Sequence, residues 1–379
     1  MRGLPRASVA VVLGTRPEIV KLAPVIRRLG DAAFVVHTGQ HYDASMSEVF
    51  LREHGLADPQ LRLGAGGYGR AEQISHMLLG LDRLFAEREF VATVVQGDTN
   101  STLAGALAAN ARGVALVHVE AGLRSNDRAM PEEHNRVMTD HLADVLCAAT
   151  AANVENLLAE GIPATRIRLT GNTVVESVLD QLPERAARLR LLVELGLKPD
   201  GYVLATIHRP ENTDSAVTLR AILTELAALP LPVVLPLHPR TAAAAASGGL
   251  AGLLDHLRVV EPMGSSTFLG LAAHAAVLVS DSGGVQEECT VLKRPLVVVR
   301  QSTERPEAMA DFAVLVEPGP QLGHSVEAML HGHAHRVSRL QRLPSPFGDR
   351  TAADQVVDTI HDLVGGPRQA VAQTANHDR

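Results

Sequence analysis

Cysteine is scarce: Cys147 and Cys289 are the only two in 379 residues, and each lies inside an apolar segment. A disulfide-built secreted scaffold is thereby excluded, and two reduced, buried thiols of a cytoplasmic enzyme are expected. Lysine is almost as rare, confined to Lys21, Lys198 and Lys293, so basic charge rests on arginine and Lys21 stands out. No apolar run approaches the roughly 20 residues needed to cross a bilayer. "SVAVVL" is too short for a signal core and runs straight into "GTRPE". A net charge of −7 argues against nucleic acid or an anionic membrane as partner. No Walker sequence occurs, and "VSDSGGVQEE" (279–288) is not the GxGxxG dinucleotide fingerprint. The histidines of "HGHAHR" (331–336) alternate without carboxylates or cysteines at ligand spacing, so no metal is expected.

What is present is a rhythm. Short β-branched runs alternate with longer amphipathic stretches along the whole chain. "SVAVVLG" (8–14), "AFVVHT" (33–38), "VATVVQ" (91–96), "VALVHV" (114–119), "VLCAA" (145–149) and "IRLT" (167–170) read as strands. A second series is "YVLATI" (202–207), "PVVLPL" (232–237), "RVVE" (258–261), "AVLVS" (276–280), "PLVVVR" (295–300) and "AVLVE" (313–317). Runs apolar on both faces suit parallel strands covered by helices. Segments such as 17–29, 71–88, 101–111 and 151–160 suit the crossover helices of right-handed units. Two sets of about six strands predict two doubly wound sheets. The break falls in the helix-rich stretch beginning "TGNT"; 319–349 reads as looser, and "RTAADQVVDTIHDLV" as a closing helix. The terminal residues are polar and expected to fray.

Ligands of such sheets sit beyond the carboxyl ends of the strands, and every polar cluster here falls there. "LGTRPEIVK" sets Arg16 and Lys21 by the positive end of a helix opened by Pro17, a place for anionic oxygens or simply a solvated first turn. "GDTNSTLAG" offers Asp98 as a cleft residue or as a cap. "HVEAGLRSNDRAMPEEHNR" (118–136) packs acids and bases together: Glu120 follows a central strand, Glu132 and Glu133 open a helix, and Arg136 lies four residues after Glu132. A buried carboxylate cleft with arginines nearby can hold one acid protonated and another ionised. "ATIHRPENTD" sets His208 and Arg209 at the mouth of the second sheet. In "VSDSGGVQEE", the amides after Ser282, at Gly283 and Gly284, suit a diphosphate, and a carboxylate a turn further in suits ribose hydroxyls. Arg305 follows on a loop, and "GQHYD" leaves His41 either lining the cleft or packing.

Together, "GTRPEIVK", "GDTNSTL", "HVEAGLR", "MPEEHNR", "TGNT", "HRPEN", "DSGGVQEE" and "TERPEA" resemble, in order over about 8–365, the non-hydrolysing UDP-N-acetylglucosamine 2-epimerases. The resemblance implies an α/β, GT-B-like architecture of two Rossmann-like doubly wound parallel-sheet domains with a cleft between them. Residues 1–170 form the first, with the helix 350–365 packed back on it; 171–349 form the UDP-binding second, and 366–379 a flexible tail. It implies interconversion of UDP-GlcNAc and UDP-ManNAc by a cytoplasmic homodimer with no cofactor. UDP is eliminated across C1–C2 to give 2-acetamidoglucal and then added back. By the same resemblance Asp98, Glu120 and Glu132 are the catalytic carboxylates, and His208 assists the leaving diphosphate. Arg16 and Lys21 steady it or the carboxylates, and Arg136 orients its neighbours. Ser282, Gly283 and Gly284 hold the phosphates, Glu288 the ribose and Arg305 a further part of the substrate. Phe268 stacks near uracil.

Three departures bear on regulation and binding. Many bacterial members read "HRREN", whose second arginine helps to bind an activating UDP-GlcNAc; here that position is Pro210, without charge or N–H. "QHYDASM" stands where regulated members read "QHREM", and Met263 where glutamine is common. Activation by a second UDP-GlcNAc is therefore expected to be weak or absent. A related branch, acting on UDP-2,3-diacetamido-2,3-dideoxyglucuronate, shares much of the pattern and is the alternative; a GT-B glycosyltransferase is a more distant one.

Overall fold

A computed structural model describes residues 4–6, 8–40 and 44–365. His41 and the 366–379 tail lie outside the described residues. Among the described residues, thirteen short strands form two sheets, both wholly parallel. In the first, β1 (Val9–Leu13), β2 (Ala33–His37), β3 (Leu61–Arg62), β4 (Ala92–Gln96), β5 (Ala115–Ala121), β6 (Val145–Ala148) and β7 (Ile167–Leu169) lie in the order β3-β2-β1-β4-β5-β6-β7. In the second, β8 (Val203–Thr206), β9 (Val233–Pro236), β10 (Arg258–Val260), β11 (Val277–Ser280), β12 (Leu296–Val299) and β13 (Ala313–Val316) lie in the order β10-β9-β8-β11-β12-β13. Each order reverses once, between β1 and β4 and between β8 and β11. A crevice opens at such a reversal because neighbouring connections leave to opposite faces.

Alternation along each strand explains why it is apolar throughout. Val9, Val11 and Leu13 enter one core cluster, which also takes Ala353, Val356 and Ile360 of the helix Ala352–Gly365. Ala10 and Val12 enter the opposite one. In the second sheet Val203 and Ala205 face one cluster and Leu204 the other. Period-two side chains buried on both faces produce the continuous hydrophobic runs seen in the sequence.

Two expectations are corrected. The two-residue strand β3 has no apolar run long enough to signal it, so the first sheet has seven strands. The stretch 319–349 is not loose: it carries the helices Pro320–Leu330 and His333–Leu340, whose Leu322, Val326 and Leu340 are buried. No described helix is long and apolar enough to cross a membrane.

Candidate active site

At the first switch point Gly14 is demanded by close approach: a Cβ there would lie 2.0 Å from Thr38 Oγ1 and 2.3 Å from Ser101 Oγ. The helix Arg16–Leu29 starts at once, and its Glu18, fully buried, binds both loops of the crevice. It accepts from the amides of Gly14 at 2.9 Å and Thr15 at 2.8 Å, and from Thr99 Oγ1 at 2.7 Å. Burial raises its pKa to about 7, against the pull of those hydrogen bonds. The loop of Arg16 is thus tied to the loop of Asp98.

Asp98 follows Gly97, whose φ of 73° turns the chain out of β4. It accepts from Arg136 Nε at 3.1 Å and also from Arg136 Nη2. Arg136 is buried and also donates to Glu133 at 2.8 Å. The arginine's helical partner is therefore Glu133, three residues before it, not Glu132 as the i,i+4 spacing suggested. Glu133 is spent structurally, accepting the amides of Ser125 at 3.0 Å and Asn126 at 2.9 Å. Glu132 is exposed on the first turn of the helix Pro131–Leu142. The loop of Asp98 is held from beneath as well: His118 Nε2 meets the Gly97 carbonyl at 2.8 Å and its Nδ1 meets Asp140 at 2.7 Å, both residues fully buried. A carbonyl only accepts, so Nε2 carries a proton.

Glu120 lies at the end of β5 where pairing with β6 slips by a residue, and it adopts φ 67°. A left-handed, non-glycine residue in a bulge costs on the order of 1 kcal/mol and re-aims the side chain. The carboxylate is thereby turned into a buried cluster fed by both sheets. Lys21 donates to Glu120 and, at 3.0 Å, to Glu287 of the second sheet's helix Gly283–Leu292. Arg305 donates to Glu287 at 2.7 Å, pairs with Glu120 at 3.5 Å and also grips Glu304. Burial disfavours the Lys21 ammonium, but Glu120 and Glu287 outweigh it and raise its pKa.

On the second sheet the buried Asp281, just after β11, organises the loop after β8. It accepts from the amides of His208 and Arg209, both at 2.9 Å, and from Asn212 Nδ2 at 3.1 Å. The His208 ring stays partly open to solvent, with Nδ1 3.3 Å from Asp281. Burial lowers its pKa, Asp281 opposes this, and Arg209, Arg16 and Arg240 add to the lowering. His208 is thus a neutral imidazole near pH 7. Ser282 holds the N-cap position of the helix Gly283–Leu292 without a side-chain hydrogen bond to it, which leaves the first-turn amides unspent. One turn in, burial pushes Glu288 up to about 7, helped by Glu287 and opposed by Arg16 and Lys21, and its Oε2 has no hydrogen-bond partner. Arg16, exposed and 4.8 Å over the Phe50 ring, thus acts on His208 and Glu288 from the other sheet. Phe268 and Met263 are half-buried against the second sheet's core.

The fold therefore gathers Glu120 and Lys21 with Arg305 across the cleft. It brings Asp98 to Arg136, and sets Arg16 in the field of His208 and Glu288. Glu132 stands apart from these pairs, and the charged groups of Arg305 are already committed to three carboxylates. Glu18, His118, Asp140, Asn172, Glu287 and Asp281 were not singled out as site residues. His118, Asn172, Asp281 and Glu287 lie within "HVEAGLR", "TGNT" and "DSGGVQEE", and Glu18 carries the Thr-x-x-Glu pattern of a capping box. Among the described residues no group of His, Cys, Asp or Glu could hold a metal ion.

Known proteins carry the same scaffold. Residues 28–361 match the sequence profile of a family described as UDP-N-acetylglucosamine 2-epimerase. The UDP-N-acetylglucosamine 2-epimerase of Methanococcus maripaludis is 36% identical over 93% of this chain and 98% of its own length. A crystal structure of Methanocaldococcus jannaschii UDP-GlcNAc 2-epimerase, in complex with UDP-GlcNAc and UDP, superposes with a TM-score of 0.80 at 34% identity, over 93% of this chain and 99% of that one. The Neisseria meningitidis enzyme bound to UDP-GlcNAc gives 0.83 at 29% identity, over 93% and 99% of the two chains. With paired parallel sheets, facing switch points and a profile match over most of its length, this chain belongs to the UDP-N-acetylglucosamine 2-epimerase family.

Proposed function

We propose that the protein interconverts UDP-GlcNAc and UDP-ManNAc. The C2 hydrogen of either sugar has no adjacent carbonyl to acidify it, so direct deprotonation is slow. Elimination removes that difficulty: a base takes the C2 proton while the C1–O bond breaks and its electron pair leaves with UDP, giving 2-acetamidoglucal. A proton delivered to the opposite face of C2 and return of UDP to C1 complete inversion. The reaction needs acid–base groups on one side of the ring and a firm hold on UDP on the other.

The observation that carries this reading is the buried cluster in which Lys21 and Arg305 hold Glu120 of the first sheet against Glu287 of the second. Glu120 and Asp98 supply the acid–base pair, with Glu132 reaching the ring only from its exposed turn. The first-turn amides at Gly283 and Gly284, with the Ser282 side chain before them, take the diphosphate, and Glu288, with a free carboxyl oxygen, takes the ribose. Arg16 and His208 face the leaving group; an arriving dianion favours the imidazolium, which then donates to the departing oxygen. Phe268 lies under the base. Residues 1–170 with 350–365, and 171–349, act as two bodies closing on the nucleotide sugar, in a cytoplasmic homodimer without cofactor.

Incubation with UDP-GlcNAc in D2O, followed by NMR, tests the reading: deuterium appears at C2 of UDP-ManNAc. Absence of deuterium sinks it. One relative supports the alternative substrate, since the UDP-2,3-diacetamido-2,3-dideoxy-D-glucuronate 2-epimerase of Pseudomonas aeruginosa is also 36% identical, over 78% of this chain. Exchange with that uronate but not with UDP-GlcNAc moves the assignment there.

A further inference from the structure

The motif "TGNT" received no role above, yet it stands where the chain passes from one sheet to the other. The chain makes that passage twice, after β7 and again before the helix Ala352–Gly365, and the two crossings touch. Gly171 has φ 78° and Gly348 φ 97°. A Cβ on Gly171 would lie 3.2 Å from the Phe347 carbonyl, and one on Gly348 3.2 Å from Gly171 Cα. The Asn172 amide then bonds the Phe347 carbonyl at 2.8 Å, pinning one crossing to the other.

The Asn172 side chain is oriented by its neighbours. Its Oδ1 accepts the Val174 amide at 3.0 Å, so Nδ2 must face the other way. Nδ2 donates to Glu120 at 3.0 Å and lies 3.3 Å from Glu287, one carboxylate from each sheet. The residue is 3% exposed. The two cations nearest Asn172, Lys21 and Arg305, already serve three carboxylates, Glu120, Glu287 and Glu304, so a neutral donor fits where a further acid does not.

We propose that Asn172 is a positioning residue that couples the approach of the two domains to the aim of Glu120. A donor seated where the crossings meet moves least as the domains rotate about that point, and it sets Glu120 only when Glu287 has arrived. The proposal rests on the epimerase reading, in which Glu120 acts on the ring hydrogen.

The test compares wild type with Asn172→Asp, which keeps the shape and the Val174 bond but puts a further carboxylate against Glu120 and Glu287, and with the milder Asn172→Ala. In Asn172→Asp, kcat falls at least 30-fold while KM and the Kd for UDP stay within threefold. In Asn172→Ala, kcat falls less. Hydrogen exchange of the segments 118–124 and 283–292, measured with UDP bound, quickens in both variants. A kcat within threefold of wild type overturns the proposal. So does a parallel loss of kcat, UDP affinity and Tm, which marks a merely structural asparagine. If the wild type labels no C2 position, the epimerase reading has failed instead. The exchange comparison then decides the coupling alone, and unchanged exchange rejects it.

Discussion

Gly283 and Gly284 are neighbours in one motif, yet the space around them differs. A Cβ on Gly283 would sit 2.8 Å from Arg305 Nη1 and 3.2 Å from Glu304 Oε1. Arg305 is pinned by Glu287 and Glu304 and cannot withdraw without breaking buried ion pairs. Gly283→Ala therefore costs about 1–3 kcal/mol of stability in the unliganded protein, read as a lower Tm. A Cβ on Gly284 meets only Glu288 and Ser282, each at 3.8 Å. Gly284→Ala keeps the Tm and weakens only UDP binding, because its missing side chain serves the ligand. Glu288 gives a second outcome at this scale. Its folded pKa of about 7 lies above the ordinary 4.5, so the folded state binds its proton more tightly than the unfolded chain. That contribution to stability is complete below pH 4.5 and is lost as pH rises through 7. Urea unfolding at pH 5 and pH 8 should therefore show wild type losing stability relative to Glu288→Gln on going to the higher pH. Sequence gave Glu288 and the glycines their place at a helix start. It could not choose between Glu132 and Glu133 as the partner of Arg136, because the choice turns on helix phase and on which face the loop 123–130 covers.

At the scale of elements, every described strand but the two-residue β3 was legible because burial on both faces leaves continuous apolar runs; the order of strands within each sheet was not. Nor was it legible how loops from different strands are fastened together. Glu18 joins the loops after β1 and β4, and His118 with Asp140 joins the loop after β4 to β5. Such contacts pair residues tens of positions apart, and no local period announces them. The same holds where the closing helix meets the first sheet. Glu176 accepts the Ala353 amide at 3.1 Å and pairs with Arg28 at 3.0 Å, joining the helices Val174–Gln181, Ala352–Gly365 and Arg16–Leu29. Glu176→Ala leaves a buried helix-start amide without an acceptor, a loss of about 1–3 kcal/mol. Because Glu176 bonds Ala353 and Arg28 and none of the groups gathered around Glu120, C2 exchange per folded molecule should persist while the urea midpoint falls. A loss of exchange at an unchanged midpoint would refute this placement.

For the whole molecule the outstanding matter is whether substrate also regulates. In family members with a second arginine after His-Arg, that side chain helps to bind an activating UDP-GlcNAc. Here Pro210 opens the short helix Pro210–Thr213, a position whose N–H is spare in any helix, so the proline costs the fold nothing and offers a ligand nothing. The preceding Arg209 is no substitute. Its backbone amide belongs to Asp281, its guanidinium lies 3.9 Å from Glu304, and burial together with Arg300 depresses its pKa. A second nucleotide sugar thus finds on this turn one arginine drawn toward Glu304 and no second one beside it. The expected outcome is a rate that rises hyperbolically with UDP-GlcNAc, with a Hill coefficient near one. UDP-ManNAc supplied alone is converted without a lag, since no UDP-GlcNAc need accumulate first. Pro210→Arg is the informative variant: a restored activator site shows as a lag with UDP-ManNAc that a trace of UDP-GlcNAc abolishes. A sigmoidal wild-type curve would mean that other residues supply the second site.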